Sequence, residues 1–176
     1  MARSRELAEP VAWKGLDPTS FDALLLPGGH APGMRQYLGS EELQRAITAF
    51  WATGKPVAAI CHGVLPLARA GVLRGKKTTC LPKYMERTAY YATAWKVGRY
   101  YRTYDAYVED EVRAALADPA DFVRGPRVLS KRGTRDDDSP AMVVEDGAYV
   151  SARWPGDAYL FAKKLIARLE APSAAR

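Results

Sequence analysis

The sequence contains few cysteines and histidines, the residues that most often carry thiol, metal or acid–base chemistry. Its 176 residues include only two cysteines, Cys61 and Cys80, and two histidines, His30 and His62. So few cysteines suit a reducing cytoplasm better than a disulfide framework. A redox pair between Cys61 and Cys80 stays open as an alternative, because the sequence does not give the distance between the two sulfurs.

Long apolar segments are also missing. No apolar run approaches the ~20 residues that a membrane span needs, and the N-terminus Met-Ala-Arg-Ser-Arg-Glu has no apolar signal core. The length suits one domain over residues 1–176, with an irregular lead-in over 1–20. The polar, Gly- and Pro-containing residues 125–140 are predicted to form a mobile loop. We therefore expect a cytoplasmic protein without a membrane partner.

The formal net charge of +6 raises the question of nucleic acid binding. The basic residues are scattered along the chain without a recognised nucleic-acid motif, and Asp136, Asp137 and Asp138 interrupt the most basic loop. Scattered charge of this kind is typical of a solvated surface. The sequence predicts no nucleic-acid partner.

Strand and helix patterns alternate along the chain. Apolar strands are predicted at Ala23–Leu26 and Val57–Ile60, with a helix between them that Ser40 caps and Gly54 ends. Further helices are predicted over 83–97, 108–116 and 157–169, a strand near 77–80, and a hairpin over 142–150. This order favours an α/β fold with a mostly parallel sheet and helices on both faces. Ligands of such folds bind beyond the carboxyl ends of the strands.

Cys61 occupies such a strand end. The buried strand Val57–Ile60 stops at Cys61-His62-Gly63, and apolar residues at helical spacing follow. A sharp strand-to-helix turn exposes the junction side chain and directs it to the positive end of the helix. We expect this position to lower the pKa of the thiol and to make Cys61 a nucleophile. The alternative is that Cys61 is a small buried hydrophobe, as most free cysteines are.

A second strand end carries glycines. The strand Ala23–Leu26 runs into Pro27-Gly28-Gly29-His30, where glycines let backbone N–H groups approach a ligand. The backbone N–H groups of Gly29 and His62 are predicted to form an oxyanion hole, with Gly28 and His30 in the substrate pocket. A thiol and exposed amides at two strand ends suit acyl transfer or carbonyl addition.

These segments resemble a known family. Leu-Leu-Pro-Gly-Gly-His, Ala-Ile-Cys-His-Gly and the late Val-Ser-Ala-Arg-Trp-Pro-Gly-Asp (150–157) look like the ThiJ/PfpI superfamily, in the branches with His after the nucleophile. The resemblance covers Phe21 to about Leu169 and implies a flavodoxin-like three-layer sandwich related to class I glutamine amidotransferases. Relatives begin with a strand–helix–strand unit, and no residue of 1–21 matches its carboxylate. The chain is thus expected to be N-terminally truncated relative to the family, with an open edge beside Ala23–Leu26 that favours homo-oligomers such as a dimer.

The resemblance also implies functional residues. The matching His acts as a base or in a Cys-His-acid triad, so His62 is a catalytic candidate; alternatively only its amide matters. Glu86 is the carboxylate nearest to the position of the acid in relatives, although Lys83 could align with that position instead. The alternative is that Glu86 is a solvated charge on the helix surface. Asp105 and Glu109 are weaker candidates.

Two classes of function follow from these residues. The first is a cysteine-dependent enzyme without metal or cofactor that acts on small reactive carbonyls, like a glyoxalase III or deglycase. The second is a stress protein without turnover, a redox sensor or holding chaperone in which Cys61 is oxidised reversibly. A cysteine hydrolase or peptidase of the intracellular protease type is a further possibility that the family implies.

Overall fold

The computed structural model describes residues 8–102, 104–127 and 130–171. Within these residues no helix is long and apolar enough to cross a membrane. Val128 and Leu129, in the loop expected to be mobile, lie outside the described residues. The strands are β1 (Leu24–Leu26), β2 (Val57–Ile60), β3 (Val143–Asp146) and β4 (Tyr149–Ala152). The α-helices are α1 (Met34–Gly39), α2 (Glu41–Trp51), α3 (Leu65–Arg69), α4 (Lys83–Val97), α5 (Val108–Ala115) and α6 (Ala158–Glu170).

The four strands form one mostly parallel sheet in the order β1-β2-β4-β3. The strands β1, β2 and β4 run parallel, with Leu24 beside Val57 and Val57 beside Tyr149, whereas β3 joins β4 antiparallel as a hairpin. The parallel α/β sandwich predicted from the alternating pattern is therefore confirmed, and it has the flavodoxin-like form.

Side chains from alternate strand positions bury the two faces of the sheet in separate cores. On one face Leu26, Ala59 and Tyr149 join the larger core, which the apolar stripes of α2 and α3 complete. On the other face Ala58 and Val150 pack against Phe161 and Leu165 of α6. Helices thus cover both faces, which fixes the direction in which the ends of β1 and β2 point.

Two predicted elements differ from the observed ones. The strand expected near Lys77–Cys80 is reduced to a single parallel bridge between Thr78 and Phe122. The helix expected directly after Cys61 begins as a 3-10 helix over Cys61–Val64, and only the five residues of α3 are α-helical. The turn after α3 is left-handed at Gly71, as a C-terminal glycine predicts.

Among the described strands, β1 lies at an edge of the sheet. Leu25 lies beside Ala58 and points to the same face of the sheet, where α6 packs on Ala58. Leu25 itself is 51% exposed. An apolar residue at an open edge is the arrangement that the sequence of this strand led us to expect.

The backbones at the ends of β1 and β2 are in contact because a glycine follows each strand, Gly28 after β1 and Gly63 after β2. A Cβ atom on Gly63 would lie 2.2 Å from the carbonyl oxygen of Leu26, and one on Gly28 would lie 2.6 Å from Cβ of Cys61. Contacts this short have no room for any side chain. The glycines therefore set the closest approach of the two strand ends that carry the predicted site.

The variant Gly63→Ala tests this contact. The added methyl group would meet the backbone of β1, which cannot rotate away, so we expect a loss of stability of at least about 2 kcal/mol. Urea unfolding followed by circular dichroism measures the change. Gly33→Ala is the matched control, because its Cβ would meet nothing within 4 Å and its φ of −64° suits alanine. Equal stability of the two variants would contradict the close contact.

Candidate active site

The backbone of Cys61 is left-handed. Its φ of 61° is the only positive φ among the described residues other than glycine. Such a conformation costs a non-glycine residue roughly 1–3 kcal/mol and persists where the surrounding structure holds it. Here β2 on one side and the Gly28 contact on the other fix the turn. The sharp strand-to-helix elbow predicted for Cys61 is present, but the expected exposure of its side chain is wrong, because Cys61 is buried.

The elbow opens into a pocket of about 400 Å³ at the carboxyl ends of β1 and β2. Its polar side chains are few, and apolar side chains from three separate segments form most of the wall. The predicted residues Gly28, Gly29, His30, Cys61, His62 and Glu86 all line it, together with Ile60, Leu81, Met85, Ala89, Tyr101, Trp154, Pro155 and Ala158.

The thiol of Cys61 lies beside the imidazole of His62. The Sγ atom is 3.4 Å from Nδ1 of His62, which is within the range of a hydrogen bond to sulfur. Both residues are nearly inaccessible, with exposed fractions of 7% and 2%. Leu81 and Trp154 pack against Cys61 from the opposite side. The nucleophile and its candidate base are thus in contact in a largely apolar surrounding.

The expected lowering of the Cys61 pKa is wrong. Burial raises the pKa of the thiol to about 12, and the charge of Glu86 adds to the rise, while a hydrogen bond with the backbone of His62 opposes it only in part. The following α-helix is only five residues long, so its dipole offers little compensation. The resting thiol is therefore protonated at neutral pH, and the nucleophile needs a base.

His62 is neutral at the pH where the thiol is protonated. Burial lowers the pKa of His62 to about 4, and repulsion from His30 contributes to the shift. The distance of 3.4 Å shows that Nδ1 of the ring faces the sulfur. In the tautomer with its proton on Nε2, this neutral imidazole can accept the proton of the thiol, as the catalytic interpretation of His62 requires.

Glu86 lies in the first turn of α4 and is 5% exposed. Its Oε2 atom accepts a hydrogen bond from the backbone N of Val108, at a distance of 3.1 Å. Burial raises the pKa of Glu86 to about 7, although that hydrogen bond lowers it. Glu86 thus lines the pocket that contains Cys61. Its carboxylate accepts a hydrogen bond from the start of α5.

The other candidates do not line the pocket. Glu109 is buried in an ion pair with Arg124 and accepts the backbone N–H of Lys83, while Asp105 is exposed beside Arg99. Cys80 is fully buried in the larger core, and burial raises its pKa well above the ordinary value. A structural role accounts for these residues.

Sequence reasoning missed two aromatic walls of the pocket. Trp154 belongs to the late motif over 150–157, and Tyr101 follows the C-terminal end of α4. Behind Trp154, the fully buried Arg153 and Asp157 form an ion pair with Nη2 2.8 Å from Oδ1, and Asp157 also accepts the backbone N–H of Met142. The Arg-Trp-Pro-Gly-Asp spacing was a usable signal, because a buried ion pair four residues apart fixes the loop that carries Trp154.

The described residues contain no group of three or more His, Cys, Asp or Glu side chains placed to hold a metal ion. The residues with polar side-chain atoms that line the pocket are Cys61, His30, His62, Glu86, Tyr101 and Trp154. This set suits nucleophilic addition with proton transfer.

The fold and the elbow define an α/β protein of the flavodoxin-like type with a cysteine at the nucleophile position. The profile of the DJ-1/PfpI family matches residues 6–168, and the chain belongs to this family. A deglycase of Thermococcus kodakarensis is 32% identical over 157 residues, which are 89% of this chain and 67% of the relative. The deglycase PfpI of Pyrococcus furiosus is 31% identical over 155 residues, which are 88% of this chain and 66% of the relative.

Solved structures share the fold. Glyoxalase III from Candida albicans has a TM-score of 0.65 at 21% identity, over 91% of this chain and 62% of that one. Drosophila melanogaster DJ-1beta has a TM-score of 0.56 at 24% identity, over 86% of this chain and 58% of that one. The chain therefore spans less than two thirds of these solved proteins.

The variant Glu86→Gln tests the buried carboxyl group. Because the pKa of Glu86 is raised from 4.5 to about 7, the folded protein holds the proton more tightly than the unfolded chain does. The resulting stability is complete below pH 4.5 and is lost as the pH rises through 7. Glutamine keeps an acceptor for Val108 and cannot ionise, so the variant should gain melting temperature relative to wild type between pH 5 and pH 8.

Thermal unfolding at several pH values measures this difference. Glu42→Gln, which removes an exposed carboxylate from α2, is the control and should show a much smaller change. A difference between wild type and Glu86→Gln that does not vary with pH would contradict the raised pKa.

Proposed function

We propose that this chain is a cysteine-dependent enzyme that needs no cofactor and acts on small reactive carbonyl compounds, in the manner of a deglycase or glyoxalase III. The observation that carries the proposal is the thiol of Cys61 at 3.4 Å from Nδ1 of His62, inside a pocket of about 400 Å³. The relatives of Thermococcus and Pyrococcus that bear the name deglycase support the substrate class.

The first step is addition of the thiol to an aldehyde. The Sγ–H proton moves to Nδ1 of His62 while sulfur bonds to the carbonyl carbon, and the carbonyl π electrons move onto oxygen. Gly29 and His62 line the same pocket, and their backbone N–H groups are the proposed donors to that oxyanion. The buried thiol reacts through this coupled transfer, because its pKa of about 12 leaves little thiolate at neutral pH.

The later steps move protons between the two carbons of a 2-oxoaldehyde. A base removes the hydrogen of the former aldehyde carbon, and the neighbouring carbon gains a proton. The oxyanion of the first carbon becomes the carbonyl of a thioester, and the oxygen of the second carbon takes the proton that left the thiol, which gives a thioester of a 2-hydroxy acid. Water then cleaves the thioester and restores the thiol. The carboxyl group of Glu86 has a pKa of about 7 and lines the pocket, so it suits either direction of transfer near neutral pH.

The buried state of Cys61 argues against a primary role as a redox sensor. Sensor cysteines are accessible and have a low pKa, because the thiolate is the form that peroxide oxidises. Cys61 is 7% exposed and its pKa is raised to about 12. A cysteine hydrolase would use the same thiol and imidazole on an ester or amide, so substrate tests separate the two enzymatic alternatives.

Turnover of methylglyoxal tests the proposal. Wild-type protein should form lactate, and Cys61→Ser should reduce the rate to that of the uncatalysed reaction. Cys80→Ala is the matched control, because Cys80 belongs to the larger core and does not line the pocket, and it should keep most of the activity. Lactate formation is measured enzymatically after the reaction is stopped. Equal rates for wild type and Cys61→Ser, or no turnover by wild type, would contradict the proposal.

The variant His62→Gln separates the ring from the backbone amide. Loss of a general acid–base group typically lowers the rate by ~100-fold or more, whereas the amide survives the substitution. We therefore expect kcat to fall by about that factor while KM changes little. A loss that is small beside that factor would mean that only the amide of His62 contributes.

A further inference from the structure

The two histidines of the chain lie side by side at the pocket. His30 follows Gly28 and Gly29 at the end of β1, and His62 follows Cys61 at the end of β2. Because β1 and β2 are adjacent and parallel, their carboxyl ends bring the two imidazoles together. The ring centroids are 5.7 Å apart, and two imidazoles joined by one N–H···N hydrogen bond have centroids about 5 Å apart. The separation slightly exceeds that of a direct hydrogen bond, so a small shift of either ring or one bridging water suffices to connect them.

The two rings differ in their access to solvent. His62 is 2% exposed and touches the sulfur, whereas His30 is only half-buried at the mouth of the same pocket. A proton that His62 takes from Cys61 is thus on a ring that solvent hardly reaches. His30 is the more exposed of the two rings and contacts His62.

Aromatic rings hold His30 in place. The centroid of Tyr101 is 4.3 Å from that of His30, and Tyr100 meets the same ring edge-on at 5.8 Å. These contacts restrict the rotation of the imidazole, so its position relative to His62 is defined by packing as well as by the β1 turn.

We propose that His30 is a relay residue, which accepts through His62 the proton that leaves Cys61 and exchanges it with solvent. This inference rests on the proposed function. The Sγ–H bond breaks as Nδ1–H of His62 forms; the Nε2–H bond of His62 then breaks as a ring nitrogen of His30 gains the proton, directly or through one water. The reverse path returns the proton when sulfur leaves the product. His30 acts through His62 and does not bond to the substrate.

The charges around His30 and His62 disfavour a state in which both imidazoles are protonated. His62 from the elbow, Tyr100 and Tyr101 from the segment after α4, and Cys61 and Glu86 across the pocket are the titratable groups at the site. Burial lowers the pKa of both histidines, and repulsion from His30 lowers the pKa of His62 further. Two neighbouring imidazolium ions are thus disfavoured, so a second proton must pass on.

Chemical rescue distinguishes a relay from a structural role. His30→Ala removes the relay and leaves a space beside Tyr101, so methylglyoxal turnover should fall about 10-fold or more and should recover as free imidazole is added to the buffer. His30→Gln fills the same space without a titrating ring, so it should lose activity and show no recovery. Sodium chloride at equal ionic strength is the control for salt. A loss without recovery, or no loss, would overturn the relay.

Alkylation of Cys61 supplies a measurement that needs no turnover. In a Cys80→Ala background, the rate of Cys61 labelling by iodoacetamide is followed against pH by peptide mass spectrometry. In wild type, the labelling rate should show an inflection at the pH where the histidine pair titrates. His30→Gln should lack this inflection. Free imidazole should restore it in His30→Ala and not in His30→Gln. If labelling changes in this way although no protein converts methylglyoxal, the relay stands and the proposed function fails. Identical labelling profiles in wild type and both variants would overturn the relay, whatever the turnover.

Discussion

The structure depends on the backbone contact between the ends of β1 and β2. Gly63 lies against the carbonyl oxygen of Leu26, and Gly28 lies against Cys61, at distances that leave no space for a Cβ atom. This contact closes the turn in which Cys61 has a φ of 61°. It also places the glycine turn and His30 beside the thiol. One steric constraint therefore assembles the nucleophile, the exposed amides and both histidines.

The same packing determines the chemistry of the thiol. A tight elbow covered by Leu81 and Trp154 excludes water from Cys61, and loss of hydration favours the neutral form of a thiol. Reactivity then comes from a base in contact instead of from a low pKa. His62, at 3.4 Å, is the base in the proposed mechanism, and it too is neutral because it is buried. With a protonated thiol and a neutral imidazole at rest, the sulfur is protected from adventitious oxidation, and in the proposed mechanism it still adds to a bound carbonyl.

The sequence predicted much of the fold and the members of the site, for identifiable reasons. The apolar run Val57–Ile60 and the Cys-His-Gly turn are local patterns, and the glycines of residues 28–29 mark a second strand end. The elbow and its neighbours could therefore be predicted from the sequence. The pKa of Cys61 could not be predicted, because it depends on residues distant in sequence, such as Trp154, that pack against Cys61. The late start of α3 had no local signal either, since apolar residues at helical spacing already follow Gly63, where the structure has a 3-10 helix.

The central claim is that Cys61 is a neutral, buried thiol at rest. The most direct measurement is a pH titration of thiolate absorbance in the ultraviolet, with Cys80→Ala as the protein and circular dichroism at each pH to confirm that it stays folded. The account predicts no thiolate at neutral pH and a midpoint near the pKa of about 12. A midpoint below the value of roughly 8.5 for a free cysteine would contradict it.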